Sequence, residues 1–209
     1  VIAVEPTGAA CLKASLEAGE VTTVSKINTI ADGTAVQTPG DKLFPYLQAN
    51  VDHVITVDDS ELTLSFLDMA ENHKMIVENS GLLTVAALKH LDFKGKKVVS
   101  VLSGGNMDVL TMATVVQNGL MQRDRIFTVS VMLPDKPGQL AAVSSLIAKE
   151  QGNVIKLEHN VFANVNRTAG VELTITLESF GTEHKDQIIK ALEAAGYCPV
   201  ITKTNGIYM

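Results

Sequence analysis

The sequence has no tryptophan and few other aromatic residues, with three tyrosines and six phenylalanines among 209 residues. It contains no apolar run long enough to cross a bilayer. Its first residues, VIAVEP, lack the basic flank and the long apolar core of a signal peptide. The 17 basic residues are scattered, and the formal net charge is −6. Because both stacking surfaces and a basic footprint are scarce, we do not expect nucleic acid as a partner. Because no apolar run is long enough, we do not expect a membrane either.

Cysteine is scarce as well. Cys11 and Cys198 lie far apart and show no spacing typical of a metal site. Free thiols in a reducing compartment are therefore expected rather than a disulfide. Together these absences favour a cytoplasmic protein that handles small molecules.

The sequence does contain ample core material, with 46% hydrophobic residues and a mean hydropathy of +0.20. Up to residue 122, strand-like apolar runs alternate with helical spacing, which favours an α/β layer architecture. The run at 97–102 does not alternate apolar with polar residues, as expected for a parallel strand covered on both faces. The predicted strands are 1–4, 53–57 and 97–102, and the predicted helices are 7–17, one through Leu43 and Leu47, one from a cap at 58–60 to about 72, 81–91 and 107–122.

The pattern changes after the charged break at 123–125. Residues 126–203 predict the order β-α-β-β-α-β of a ferredoxin-like unit. Pro137 is expected at the N1 position of a helix, Gly152 at its C-cap, and Thr182 at the N-cap of the second helix. The predicted strands are 126–133, 154–165, 171–179 and 199–203, with a turn at 166–170, and the predicted helices are 138–150 and 182–195.

The segment KVVSVLSGGNMD, residues 97–108, reads as a strand, a glycine turn and a helix. Alone, it is equally compatible with an ordinary strand-to-helix turn. In order and spacing, however, a series of five segments resembles the C-terminal half of the threonine ammonia-lyase family, and is similar to the related serine racemases and dehydratases. The five are VIAVEPTGAACLKASL, NTIADGTAV, ITVDDSEL, MIVENSG and KGKKVVSVLSGGNMD. The resemblance covers about the first 120 residues and implies part of a fold-type II pyridoxal-phosphate enzyme, with 1–122 as the catalytic portion.

The resemblance implies which residues bind the cofactor. Ser103 matches the serine that hydrogen-bonds the pyridine nitrogen, and a neutral hydroxyl there makes a weaker electron sink, which suffices for β-elimination. Gly104, Gly105 and Asn106 complete that loop. Glu78 is expected to face the cofactor, with a helix-capping carboxylate as the equally weighted alternative. Asn79 departs from the Gly or Pro that is commoner after this glutamate.

A cation site is implied by the EPTGAAC segment. In related enzymes a Glu, a backbone carbonyl and an Asp bind the ion, and the matching residues here are Glu5, Ala9 and Cys11. Divalent magnesium or calcium prefers oxygen ligands, so the thiol favours a monovalent ion or no metal. The Asp32-Gly33 pair is interpreted either as part of a loop at the mouth of the site or as a simple turn.

Two family features are missing from the sequence. The Schiff-base lysine lies in an FKxRGA segment of the family and the phosphate in a glycine-rich loop, and neither pattern occurs here. Lys94, Lys96 and Lys97 form a solvated charge run, so the chain has no candidate nucleophile or base for the α-proton. We therefore expect a C-terminal portion that is inactive without the N-terminal half of the enzyme.

Residues 126–203 resemble an ACT domain, a module that binds small effectors. LPDKPGQL, residues 133–140, resembles its first loop, where Gly138 lets the backbone approach a ligand and helix amides favour a carboxylate. His159 and His184 suggest no site. The expected effector-binding residues are Asp135, Lys136, Pro137, Gly138, Gln139, Leu140, Asn153 and Val154.

The resemblance implies a regulated lyase that converts L-threonine to 2-oxobutanoate and ammonia, with L-serine as a second substrate. An amino acid such as isoleucine or valine, or a nucleotide, is the expected effector, and a homo-oligomer is the expected assembly. Two alternatives stay open. One is a piece that only senses amino acids or assembles subunits, and the other is a serine dehydratase or racemase.

Overall fold

The computed structural model describes residues 1–160 and 170–204, with only the backbone of Asn160. The chain divides into two compact units, Val1–Gly119 and Leu120–Met209. The first has the predicted α/β character, with a parallel sheet, and the second has an antiparallel sheet. The predicted fold class is therefore confirmed. None of the helices in the described ranges is both long and apolar enough to cross a membrane.

In the first unit, two parallel strands pair in register from Ile2 opposite His53 to Pro6 opposite Val57. Helices complete the unit, together with short 3₁₀ turns at Thr7–Ala9, Asp32–Thr34, Asn79–Leu82 and Ala87–His90. The strands are β1 (Ile2–Pro6) and β2 (His53–Val57), and the helices are α1 (Cys11–Ala18), α2 (Phe44–Asn50), α3 (Asp59–Asp68), α4 (Leu83–Ala86) and α5 (Val109–Gln122).

The start of α3 follows its sequence signals. Asp58 is the N-cap, and Glu61 three residues later accepts a hydrogen bond from the Asp58 backbone N–H at 2.9 Å, as in a capping box. The helix continues into a π-turn, Met69–His73. Its buried face joins the core of the unit, which contains Ala31, Val57, Leu62, Phe66, Met69, Val77, Leu82, Leu83, Ala86, Ala87 and Val115.

The predicted strand at 97–102 is wrong. The segment has no regular secondary structure, and Val99 is 88% exposed. It runs beside α4 instead, because the Thr84 hydroxyl donates to the Val101 carbonyl at 2.8 Å and the Ser100 hydroxyl donates to the Thr84 carbonyl at 3.2 Å. A parallel strand needs a neighbouring strand, and within the described residues β1 pairs only with β2.

The second unit has the predicted β-α-β-β-α-β order. Its antiparallel sheet has the strand order β4-β5-β3-β6, and two helices lie against one face. The elements are β3 (Ile126–Leu133), α6 (Gln139–Lys149), β4 (Asn153–Asn160), β5 (Val171–Glu178), α7 (Thr182–Ala194) and β6 (Val200–Thr202). The predicted continuation of β4 through residue 165 and most of the predicted turn at 166–170 lie outside the described residues.

Three predicted caps in this unit differ in detail. Gly138, with φ of 90°, is the N-cap of α6, so Pro137 precedes the helix rather than starting it. Thr182 is the first residue of α7, and Gly181 is its N-cap. At the end of α6, Gln151 takes the left-handed conformation expected of Gly152, and the Gly152 N–H donates to the Ile147 carbonyl at 2.9 Å. The last turn is thus a Schellman motif with a non-glycine residue at its left-handed position.

Candidate functional site

Two loops of the first unit are in contact: the glutamate loop, residues 78–81, and the SGGN loop, residues 103–106. Glu78 Oε2 accepts a hydrogen bond from the Asn106 backbone N–H at 3.0 Å. The Glu78 backbone N–H points at the Gly104 carbonyl at 3.4 Å. A carboxylate that binds a backbone amide fixes the path of the loop that carries it. The structure therefore brings together Glu78 and the predicted cofactor loop, which are 25 or more positions apart in the sequence.

Two glycines permit this close approach. Gly104 has φ of +77°, and a Cβ on it would lie 2.0 Å from Glu78 Oε1. A Cβ on Gly81 would lie 1.6 Å from the Ser103 carbonyl oxygen. Any side chain at either position would separate the two loops. The glycines are thus required by the contact between the loops and not only by turn geometry.

Ser103 is exposed on this loop. Within the described residues its hydroxyl makes no hydrogen bond, so the group is available to a ligand. The helix that follows is capped farther along the chain, since Asp108 Oδ1 accepts from the backbone N–H groups of Leu110 at 2.9 Å and Thr111 at 3.0 Å. Hydrogen bonds from the Thr111 hydroxyl and these amides lower the pKa of Asp108 below its ordinary value. Residues 103–106 are therefore an irregular loop and not the first turn of α5.

The Asp32-Gly33 turn reaches the same place. A Cβ on Gly33 would lie 2.9 Å from Ser80 Oγ and 3.8 Å from Glu78 Oε1. The Asn79 side-chain amide donates to the Ile30 carbonyl at 3.1 Å. Three segments, those of Gly33, Glu78 and Ser103, therefore converge on one region of the first unit.

Glu5 has a structural task in this conformation. Its two carboxylate oxygens accept the backbone N–H groups of Leu12 and Lys13, each at 2.8 Å, and so cap the N-terminus of α1. Burial and the nearby Glu5 charge raise the pKa of the Cys11 thiol. Among the residues that the structure describes, no group of three or more His, Cys, Asp or Glu side chains is arranged to hold a metal ion. The cation site at Glu5 and Ala9 stays a prediction.

In the second unit the loop between β3 and α6 borders a cavity of about 310 Å³. Six of the eight predicted effector residues line this cavity, together with Leu133, Pro134 and His159. The six are Asp135, Lys136, Pro137, Gly138, Gln139 and Leu140. Asn153 and Val154 do not line it, and the Asn153 side chain instead donates to Glu178 at 3.1 Å.

Sequence reasoning missed His159 as a lining residue. The topology contains the signal, because β3 and β4 each pair antiparallel with β5 and therefore run in the same direction. Their C-terminal ends lie at the same end of the sheet. His159, near the end of β4, is thus placed beside the loop that follows Leu133.

His184, by contrast, is part of the fold. Its Nδ1 accepts the Phe180 backbone N–H at 3.0 Å, and its Nε2 is paired with the Glu150 carbonyl at 2.6 Å. The ring also stacks on Phe180 with centroids 4.8 Å apart. These contacts tie the end of α6 to the start of α7 and leave the ring nitrogens occupied.

Comparison with known proteins assigns both units. The family described as pyridoxal-phosphate dependent enzymes matches residues 1–104, and the ACT domain family matches residues 127–196. The chain combines part of a pyridoxal-phosphate dependent enzyme with an ACT domain. It is 35% identical over 97% of its length to an L-threonine ammonia-lyase of Geobacter sulfurreducens, and 33% identical over 94% to one of Thermotoga maritima.

The chain spans about half the length of these curated relatives, 51% and 49% respectively. Among solved structures, it is similar to the processed form of threonine deaminase isoform 2 from Solanum lycopersicum. The TM-score is 0.51 at 28% identity, over 56% of this chain and 35% of that one. The resemblance to the threonine ammonia-lyase family is therefore confirmed.

The residues of the enzyme segment fit one side of pyridoxal phosphate. The ring nitrogen takes a single hydrogen-bond partner, and Ser103 offers an exposed hydroxyl that has no partner among the described residues. Gly104 and Gly105 leave the backbone bare beside it. Lys94, Lys96 and Lys97 are exposed, as a solvated charge run requires. This segment thus has an exposed hydroxyl for the predicted contact to the ring nitrogen, whereas the sequence lacks the motifs predicted to hold the aldehyde and the phosphate.

Proposed function

We propose that this chain is the C-terminal part of a pyridoxal-phosphate dependent L-threonine ammonia-lyase, with residues 1–122 in the catalytic domain and residues 126–203 in the ACT domain. The observation that carries the proposal is the exposed Ser103 hydroxyl on a glycine loop fixed by Glu78. The matches to two L-threonine ammonia-lyases over nearly the whole chain support it. The intact enzyme forms 2-oxobutanoate and ammonia, and L-serine is its second substrate.

When bound, the cofactor supplies the electron sink that allows an amino acid to lose its α-proton and its β-hydroxyl. Ser103 holds the ring nitrogen with a neutral hydroxyl. Glu78 holds the Ser103 loop through the Asn106 amide, and Gly104 and Gly81 allow the two loops to touch. The lysine that would bind the cofactor and move the α-proton is implied by the family resemblance to lie in an FKxRGA segment, which this sequence does not contain. In this proposal the chain alone is inactive.

The cavity beside the β3–α6 loop supports effector binding by the ACT domain. The Gln139 amide donates to the Lys136 carbonyl at 3.4 Å, which leaves the next amides of the first turn of α6 for a carboxylate. Lys136 and His159 add basic groups to the lining. We propose an amino acid such as isoleucine or valine as the effector. Asn153 and Val154 lie outside this cavity, so their role in effector binding remains a prediction. A homo-oligomer and a cytoplasmic location remain predictions too.

The lyase proposal is tested on the purified holoenzyme by measuring 2-oxobutanoate formation from L-threonine. Ser103→Ala removes the hydroxyl, so we expect kcat to fall by at least about tenfold, the usual order for a contact that tunes the reacting group. Ser60→Ala is the matched control, because Ser60 is also exposed and makes no side-chain hydrogen bond among the described residues. A wild-type holoenzyme that holds the cofactor yet forms no 2-oxobutanoate would contradict the proposal.

The effector proposal is tested by titrating the holoenzyme with isoleucine, valine and nucleotides while following its thermal unfolding. A ligand of the folded state raises the midpoint as its concentration exceeds the dissociation constant. We expect a response to an amino acid that is reduced by Lys136→Ala. A response to nucleotides alone would replace the proposed ligand, and no response at all would favour a domain that only assembles subunits.

A further inference from the structure

The backbone of Ile30 is held by side chains on both of its polar groups. The Ile30 N–H donates to Asp59 Oδ2 at 3.1 Å, and the Ile30 carbonyl accepts from Asn79 Nδ2 at 3.1 Å. Asp59 begins α3, and Asn79 begins the 3₁₀ turn before α4. Side chains from two separate elements therefore hydrogen-bond one residue of an irregular loop. These bonds restrict the dihedral angles of the loop at that residue. We call these two contacts the Ile30 clamp.

The residues on either side of Ile30 strengthen the clamp. The Thr29 hydroxyl donates to Asp59 Oδ1 at 2.6 Å and accepts the Ala31 backbone N–H at 3.1 Å. Ala31 is completely buried in the core of the first unit. The loop is thus anchored over three consecutive residues directly before the Asp32-Gly33 turn.

The same short segment that supplies Asn79 also borders the site. Glu78 holds the SGGN loop through the Asn106 amide, Asn79 holds Ile30, and Ser80 Oγ lies against Gly33. Three consecutive side chains therefore contact two different loops. A shift of the Ile30 loop would move Gly33 relative to both Ser80 and Glu78.

Asn79 and Ser80 are also incompletely hydrogen-bonded. Asn79 is only 4% exposed, yet its Oδ1 has no hydrogen-bond partner in the described part of the chain, and neither has the buried Ser80 Oγ. A buried polar atom without a partner costs free energy, so its presence calls for an explanation. Of the two polar atoms of the Asn79 side chain, the amide nitrogen is the one with a hydrogen-bond partner in the described residues, and that partner is the Ile30 carbonyl.

We propose that Asn79 and Asp59 are positioning residues that set the affinity of the site for its amino-acid substrate. Through the Ile30 clamp they fix where the Asp32-Gly33 turn lies against Glu78 and Ser80. In the described part of the chain, the hydrogen bonds of both side chains go to the segment at residues 29–30 and not to the predicted cofactor loop, so the effect acts through Glu78 and Ser80. The link to substrate affinity rests on the proposed lyase function, whereas the clamp itself does not.

The test replaces Asn79 with Asp in the holoenzyme. Asp has nearly the same shape, but it puts an acceptor where the amide donates to Ile30. The matched control is Asn50→Asp, because the Asn50 amide makes the same type of bond, to the Tyr46 carbonyl at 2.8 Å, at an exposed position. Asp59→Asn is a second variant that weakens the other side of the clamp and serves if Asn79→Asp fails to fold.

The first readout is amide hydrogen exchange of residues 29–36, measured without substrate. We expect exchange about tenfold faster in Asn79→Asp and unchanged in Asn50→Asp, since one lost hydrogen bond of about 1.4 kcal/mol corresponds to a factor of ten. The second readout is steady-state kinetics. We expect KM for L-threonine to rise about tenfold while kcat changes by less than about twofold, the pattern of lost uniform binding.

Unchanged exchange in both clamp variants would overturn the clamp. Faster exchange with an unchanged KM would overturn its link to substrate affinity, as would a loss of kcat that follows the unfolding midpoint at constant KM. If the wild-type holoenzyme does not turn over L-threonine, the proposed function fails and the affinity claim fails with it. The exchange measurement still decides whether the clamp exists.

Discussion

The two units of the chain differ in how completely their sheets are built. In the described part of the second unit four strands pair in one sheet, and the inward residues Val129, Val131 and Leu173 have no exposure. In the first unit only two strands pair, and Ile2 on β1 is 40% exposed. A two-stranded sheet is marginal by itself, whereas a four-stranded sheet covered by helices is self-supporting. We therefore expect the second unit, the ACT domain, to be more stable by itself than the first unit.

The exposed apolar surface of the first unit has a definite position. A cavity of about 340 Å³ lies between β1, the end of α4 and the segment that was predicted as a strand, and Ile2, Phe93 and Val99 are among its exposed lining residues. Apolar lining of this kind is typical of a surface that packs against further protein. The second unit thus has a closed core between β3, β5 and its helices, whereas the first unit has an apolar opening beside β1.

Leu173→Ala is expected to change the stability of the second unit more than any other substitution proposed here. Leu173 is fully buried in the centre of β5, so we expect its truncation to lower the free energy of unfolding by about 3 kcal/mol. Val200→Ala is the control in the same unit, because Val200 is 59% exposed and its truncation should cost less than about 0.5 kcal/mol. Hydrogen exchange of the β3 amides measures the effect. A similar small cost for both variants would show that the second unit is not the rigid half.

Gly104→Ala probes the corresponding rigidity of the first unit. The new Cβ would meet Glu78, and the alanine would have to keep the positive φ of Gly104. We expect a loss of about 2 kcal/mol, of which the φ strain accounts for about 1. Gly19→Ala isolates that strain, because Gly19 has a φ of +76° and no heavy atom within 4 Å of the new Cβ. Equal effects in a thermal unfolding experiment would mean that the contact of the glutamate loop with the SGGN loop is soft.

The smallest expected effect concerns pH. Burial alone raises the pKa of Asp124, but hydrogen bonds from Lys185 and Thr182, together with the Lys185 charge, outweigh it and lower the pKa. A carboxyl with a lowered folded-state pKa stabilises the fold above its unfolded value near 3.8, and this stability is lost as the pH falls through the folded value.

Asp124→Asn should therefore destabilise the second unit at pH 7 by less than about 1 kcal/mol, since the Lys185 contact is partly exposed. The difference between the variant and the wild type should vanish below the lowered pKa. Thermal unfolding at pH 7 and at progressively lower pH measures it. A difference that persists at the acid end would assign the effect to packing rather than to charge.

The second unit was predictable almost element by element. The spacing of its strands and helices is a local signal, and the inward residues of β3 and β5 are covered within the unit itself. Its predicted caps, by contrast, are all shifted along the chain. In the first unit the run at 97–102 misled the prediction, because an apolar run specifies burial and not the partner that provides it. Thr84 instead holds this run with side-chain hydrogen bonds. A sequence pattern does not contain such a contact.

The predicted site shows the same limit. The SGGN loop and Glu78 were named from their motifs, and the structure places them in contact. The roles of Gly81 and Asn79 were not foreseen, because each depends on an approach of distant backbone. Glu5 was named as a cation ligand from its motif, and in the structure its carboxylate accepts two backbone amides at the start of α1. Polarity and spacing predict which residues are candidates, whereas geometry decides what those candidates touch.

The interlock of the Gly81 and Gly104 loops has a consequence for protein engineering and for inheritance. Since a side chain at either glycine collides with the opposite loop, neither loop is a separable module. Transplanting SGGN into another scaffold without the ENSG segment would leave it unsupported, and recombination between relatives at a point between residues 81 and 103 would join loops that have not been selected together. These two short stretches therefore form one heritable unit, although more than twenty residues separate them in the chain.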